Sequence, residues 1–323
     1  MKNYKVCVVG AGNWGRNHIR TLYKLNALGG VVEQSKEAVN SIKSVYPTCK
    51  LHYDLEDALN ENYDGFIVAT PPLSHFEIGK RIIESNKPLL VEKPLTLNLQ
   101  DAITLNDLAK QKNVNLMVGH LLLFHPAFKK ITELIESGMI GEIQYIYSNR
   151  LNLGTFRSDE NVFWSFAPHD ISLFNYFFKK MPIDVTSRGV DILQKDIHDT
   201  TITSFKYNNN KMGHIFVSWI HPFKEHRFVI IGSNGMIHFD DSSENKHILF
   251  YDKKAEFSLS KPKAISGETK KIEYNKEQPL TNELIYFLSH LGDKKVEIAD
   301  GDSAVEVIRI LEQATNSLNN RNR

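Results

Sequence analysis

A short apolar run, Val6-Cys7-Val8-Val9, ends in Gly10-Ala11-Gly12-Asn13-Trp14-Gly15, and the chain then takes up helical spacing through Ile19, Leu22 and Tyr23. No other stretch limits the possible folds as tightly. In a G-x-G-x-x-G loop the first glycine permits a tight strand-to-helix turn and the second lets backbone approach a pyrophosphate. The third lets the helix pack against the strand, with its N-terminus facing the phosphates. Isolated glycines carry little weight, but here they follow a strand and open a helix near the start of the chain, which is the context that pattern requires. Gly10, Gly12, Asn13, Trp14 and Gly15 are therefore candidate contacts to a dinucleotide.

The segments that follow extend the pattern. Strands over 28–33, 51–53, 65–69, 88–92 and 115–119 alternate with amphipathic helices over 14–25, 76–85 and 99–112, and with one through Val39, Ile42 and Val45 that Pro47 stops. Alternating β and α segments imply right-handed crossovers and a parallel sheet. Strands that are apolar throughout fit burial on both faces. Beyond about residue 122 the texture changes. After helices over 126–137 and 167–178 and a long strand over 143–151, one strand follows another from 183 to 251, with Asn208-Asn209-Asn210 and Ser233-Asn234-Gly235 as hairpin turns. Residues 253–277 read as loop with an edge strand, and helices over 280–291 and 302–318 close the chain. The expected fold class is α/β: a Rossmann domain with a parallel sheet at 1–122, then an α+β domain with a mainly antiparallel sheet at 123–323.

Bulk properties narrow the function. With 323 residues and a formal net charge of +1, the chain offers two ordinary cores and no electrostatic footprint for nucleic acid or an anionic membrane. No apolar run approaches the ~20 residues that span a bilayer, and the first residues lead into a strand instead of a signal peptide. Cys7 and Cys49 are the only cysteines, so a disulfide scaffold is not expected and a reducing cytoplasm is the natural setting. No His or Cys spacing suggests a metal site.

Several polar residues sit where ligands bind in open α/β sheets, at the carboxyl ends of strands. Glu33 ends the second strand and can accept hydrogen bonds from ribose hydroxyls, which favours NAD over NADP; the alternative is a surface Glu at a strand end. Ala69-Thr70-Pro71-Pro72 forms a stiff loop, followed by Ser74 and His75 at a helix start. Glu92-Lys93-Pro94 leaves another strand end; Lys93 could hydrogen-bond a sugar oxygen beside a nicotinamide, or could be a solvated lysine. His120 stands at a further strand end. Arg150 and Arg157 could clamp a diphosphate or a carboxylate, or form sheet-surface salt bridges.

Taken together and in this order, GAGNWG, ATPP-x-S-H, Glu92-Lys93-Pro94 and Gly119-His120 resemble the glucose–fructose oxidoreductase, inositol dehydrogenase and rhizopine-catabolism (Gfo/Idh/MocA) family. The resemblance implies a Rossmann domain holding NAD, with contacts at the glycine loop, Glu33, Thr70, Pro71, His75, Glu92 and Lys93. It also implies an open-faced second sheet that forms a homodimer or homotetramer. The stretch from Asn149 through Arg150, Asn152, Arg157, Ser165 and His169 to Asp170 is similar to the family's nucleotide-sugar 3-dehydrogenases. This similarity implies oxidation of the C3 hydroxyl of a UDP-N-acetylglucosamine-like sugar for cell-surface polysaccharide. Lys93 and His169 would be catalytic, and His120, Arg150, Asn152, Arg157, Ser165 and Asp170 would face the sugar. The family's acidic residue four positions before the histidine is here Ser165, which cannot carry its charge. An NAD-assisted glycosidase and a non-catalytic sugar or NAD sensor remain open as alternatives.

Overall fold

The computed structural model describes residues 4–258 and 261–320. The chain divides into two compact units, residues 1–124 with 278–308 and residues 125–277 with 309–323. The first is built from β1 (Val6–Val9), α1 (Asn13–Lys24), β2 (Leu28–Val32), α2 (Lys36–Val45), β3 (Lys50–His52), α3 (Leu55–Leu59), β4 (Gly65–Val68), α4 (His75–Glu84), β5 (Leu89–Val91), α5 (Leu99–Gln111) and β6 (Leu116–Val118). The six strands form one parallel sheet in the order β3-β2-β1-β4-β5-β6. Every residue of β1, β4 and β5 is buried, as expected of central parallel strands covered on both faces. Strand order reverses direction between β1 and β4, which opens a crevice beyond their carboxyl ends. Cys7 pairs with Gly30 and Gly30 with Lys50, so Cys49 lies about two strand spacings (~10 Å) from Cys7, too far for a disulfide.

The second unit holds α6 (Pro126–Glu136), β7 (Ile143–Leu153), α7 (Val162–Phe166), α8 (Pro168–Phe178), β8 (Asp184–Val190), β9 (Thr200–Lys206), β10 (Met212–Ser218), β11 (Ile220–Gly232), β12 (Met236–Asp240), β13 (Ile248–Ser258) and β14 (Lys261–Ile272). Its eight strands run β14-β13-β12-β11-β7-β10-β9-β8, antiparallel except for the β7–β10 pair. Asn209 and Asn210 both adopt positive φ, 59° and 60°, the geometry of a type I′ turn, which explains the tight β9–β10 hairpin. Phe128, Phe174, Phe205, Phe228 and Phe239 make the aromatic core between sheet and helices. Within β7, Ser148 and Arg150 reach Asp170 on α8, so Tyr145, Tyr147 and Asn149 point to the opposite face.

Two sequence-based expectations are corrected. Residues 253–277 are mostly strand: β14 pairs with β13 along nearly its whole length. Beyond Tyr251 the ribbon is exposed on both sides, so that part has no apolar alternation to betray it. The second correction concerns the domain limits. The sequence places everything after 122 in the second domain, yet Gln278–Ile308 belongs to the first unit. This segment carries α9 (Pro279–Ser289) and the start of α10 (Gly301–Asn319). Leu284, Phe287 and Leu291 join Ile19, Leu22 and Val8 in one core, and full burial of such side chains stabilises by roughly 2–3 kcal/mol each. The Asn115 amide donates to the carbonyls of His290 and Lys294 and accepts from Val296 N–H. Ala299 and Asp300 then cover the free edge of β6.

Candidate active site

The glycine loop is shaped as the sequence requires, and its residues fit a dinucleotide pyrophosphate. Gly10 has φ of +93°, and a Cβ there would come 2.9 Å from the Ala69 carbonyl. A Cβ on Gly15 would stand 2.0 Å from the Gly10 carbonyl, so the helix can touch the loop only because Gly15 lacks a side chain. Gly12 differs: nothing lies within 4 Å of the place its Cβ would take. Gly12 is also the N-cap of α1, with no side chain to cap the first turn and no acidic residue there. The first backbone N–H groups of α1 are thus left for an anion. By contrast Ser35, Asn98 and His125 cap their own helices with side-chain hydrogen bonds. Asn13 and the exposed Trp14 form the first helical turn beside this space.

Glu33 lies at the end of β2 as expected, with more partners than the sequence suggests. Its carboxylate accepts from Ala11 N–H at 2.8 Å and from Ser35 N–H at 2.9 Å, bracing the glycine loop. A carboxylate has about four acceptor positions, so ribose hydroxyls still find room. Thr70 and Pro71 sit just past β4, where the Ser74 hydroxyl lies 2.7 Å from Thr70 Oγ1 and 2.8 Å from the Pro71 carbonyl. His75 is fully buried; its Nδ1 is 2.8 Å from the Pro94 carbonyl and its Nε2 2.9 Å from that of Thr70.

Lys93 leaves the carboxyl end of β5, half-buried, and the Lys93–Pro94 bond is cis. Its neighbour Glu92 carries the electrostatics. Burial would raise the Glu92 carboxyl, but a 2.7 Å hydrogen bond from His18 Nε2, with the Lys93 charge and backbone N–H, brings it below the usual carboxylate range. Burial, reinforced by the nearby Lys93 ammonium, pushes His120 down to about 4, so it is a neutral imidazole at the end of β6. Glu283 on α9 goes the other way. It is 1% exposed and its Oε1 has no hydrogen-bond partner among the described residues. Burial and then the Glu92 charge hold its carboxyl well above the usual value, so it is protonated. His18 and Glu283 are missed by sequence reading. The available signals were a histidine beside Ile19 on the apolar face of α1 and a glutamate within an apolar helix, neither of which names a partner.

In the second unit, His169 lies in the first turn of α8 and Ser165 in α7, with Ala167 joining the two helices. Arg150 forms the salt bridge that the sequence left open, and its partner is Asp170: Arg150 Nε is 2.7 Å from Asp170 Oδ2 and Nη2 3.1 Å from Oδ1, in a bidentate pair. Asp170 also accepts from Ser148 Oγ. Burial alone would lower the Arg150 pKa; the Asp170 charge and hydrogen bonds raise it instead. Asn152 is half-buried near the end of β7. Arg157 is exposed on the following loop, 3.9 Å from Glu160.

Comparison with known proteins agrees with this geometry. The family model described as an oxidoreductase family with NAD-binding Rossmann fold matches residues 4–120, and that of the GFO/IDH/MocA C-terminal domain matches residues 128–238. UDP-N-acetylglucosamine 3-dehydrogenase of Acidithiobacillus ferrooxidans is 27% identical over 219 residues, 68% of each chain. Its solved structure superposes with a TM-score of 0.86 at 23% identity, covering 98% of both chains. Myo-inositol 2-dehydrogenase of Thermotoga maritima is 23% identical over 259 residues, 76% of this chain and 78% of that protein. With both of its units matched and its glycine loop shaped for a pyrophosphate, the chain belongs to the Gfo/Idh/MocA family of NAD-binding oxidoreductases.

Proposed function

We propose that the protein oxidises the C3 hydroxyl of a UDP-N-acetylglucosamine-type nucleotide sugar. The observation that carries this reading is Lys93, set at a strand end of the NAD-binding sheet with its backbone braced by the buried Glu92–His18 pair. The similarity to the Acidithiobacillus 3-dehydrogenase supports the choice of sugar. When bound, NAD supplies the hydride acceptor. Lys93 donates a hydrogen bond to the reacting oxygen and steadies charge developing there. His169 accepts the hydroxyl proton. Ser165 leaves that imidazole without an acidic neighbour four residues upstream. Asn152 and the exposed Arg157 are suited to a diphosphate, while Arg150 is held by Asp170. A second copy of the chain covers the open face of the second sheet, where Tyr145, Tyr147, His214 and Phe216 lie together.

The test is NADH formation by the purified protein with UDP-N-acetylglucosamine, its uronate and myo-inositol. Reduction with a UDP-sugar is expected, and Lys93→Met should lower turnover about 100-fold. Reduction with myo-inositol alone would overturn the choice of substrate, and full turnover by Lys93→Met would overturn the role of the lysine.

A further inference from the structure

We propose that His75 is a positioning residue of the cofactor site, a latch that ties the Thr70 loop to the Lys93 loop through its two ring nitrogens. The latch rests on the function proposed above only for its consequence; the geometry stands by itself. β4 and β5 are neighbours, and their ladder ends where Glu92 N–H donates to the Val68 carbonyl at 2.9 Å. Beyond that point the two chains carry Pro71, Pro72 and Pro94, which have no N–H to offer. A side chain must supply the link. His75, 0% exposed at the start of α4, lies 2.9 Å from the Thr70 carbonyl and 2.8 Å from the Pro94 carbonyl, one on each side of the ring.

With both nitrogens committed to carbonyls, His75 has no group left for cofactor or substrate. Burial, the largest influence, keeps its pKa below the ordinary histidine value although both carbonyls and Glu92 favour the proton. A neutral ring has one N–H, so each tautomer donates to one of the two carbonyls while the bare nitrogen rests against the other. A change at either loop is therefore felt at the other through one side chain.

Asparagine and glutamine separate the two bonds, because Asn Nδ2 occupies the place of Nδ1 and Gln Nε2 that of Nε2. In the full chain, His75→Asn should keep the bond to Pro94 and lose that to Thr70. Amide hydrogen exchange over residues 69–74 then quickens about tenfold, residues 92–97 stay protected, and the Kd for NAD rises about tenfold. His75→Gln should do the reverse: exchange quickens over 92–97, NAD affinity stays within about twofold, and turnover of the best UDP-sugar falls about tenfold at unchanged KM for NAD. Protection lost over both segments in each variant, or over neither, overturns the latch. Failure of the wild type to bind NAD, or an active Lys93→Met protein, overturns the proposed function instead and leaves the exchange pattern to judge the latch.

Discussion

The carboxyls of Glu92 and Glu283 are shifted in opposite directions, because His18 and Lys93 stand beside the first while the second faces only burial and a neighbouring anion. Lys93 and Glu92 are legible in sequence because a strand end can be counted to; Glu283 is not, because its partner lies 191 residues away. His120 gives this cluster a measurable pH dependence. Its pKa falls from 6.5 to about 4 on folding. Between those values the unfolded chain binds a proton that the folded chain does not, so stability declines as pH drops from 6.5 toward 4, by about 3 kcal/mol for this group. Glu283 has the opposite sign: its raised carboxyl makes the folded state hold an extra proton above pH 4.5, so its contribution weakens as pH rises. Denaturant unfolding of His120→Gln at several pH values separates the two. The difference in stability between variant and wild type should shift in favour of the variant as pH falls through that window; a constant offset would show that His120 does not titrate there.

The glycine loop and α1 form the element whose shape the sequence states most fully, and two substitutions divide its roles. Gly15→Ala drives a Cβ to 2.0 Å from the Gly10 carbonyl, so the turn itself must open. Loss of thermal stability together with loss of NAD binding is expected. Gly12→Ala meets open space. It should leave stability within about 0.5 kcal/mol yet weaken NAD binding about tenfold or more, because the new methyl enters the space left for the pyrophosphate. Calorimetric melting and NAD titration measure both, and equal effects from the two substitutions would contradict this division. The β13–β14 ribbon is the opposite case. Its pairing runs from Ile248↔Ile272 outward, but beyond Tyr251 neither face is buried and the side-chain alternation there carries no signal.

At the scale of the whole molecule, the unexpected feature is the return of residues 278–308 to the first unit. Amphipathic spacing shows that α9 has an apolar face and cannot show which core receives it. The open face of the second sheet poses a related question. Gly213 faces Phe174 of α8, so Met212, His214 and Phe216 face the other way, where Phe216 pairs with the exposed Ile202. We propose that this face is an interface between copies of the chain. If a second copy covers it, Phe216→Glu combined with Ile202→Glu should convert the oligomer to monomer in sedimentation or light scattering, since burying two carboxylates opposes assembly. An oligomer of unchanged mass would place the interface elsewhere.

Local physics is what the sequence by itself determined: the buried parallel strands, the glycine turn, the hairpin at Asn209-Asn210, and Lys93 at a strand end. Each follows from side-chain spacing or backbone freedom within a few residues. Tertiary structure alone decided that Arg150 is matched to Asp170, that His18 donates to Glu92, that Glu283 is kept neutral, and that His75 bridges two loops. These are properties of pairs brought together from separate elements. Burial strengthens the interaction of such groups and raises the penalty for leaving one unpaired, so the partner, and not the residue type, fixes what each does.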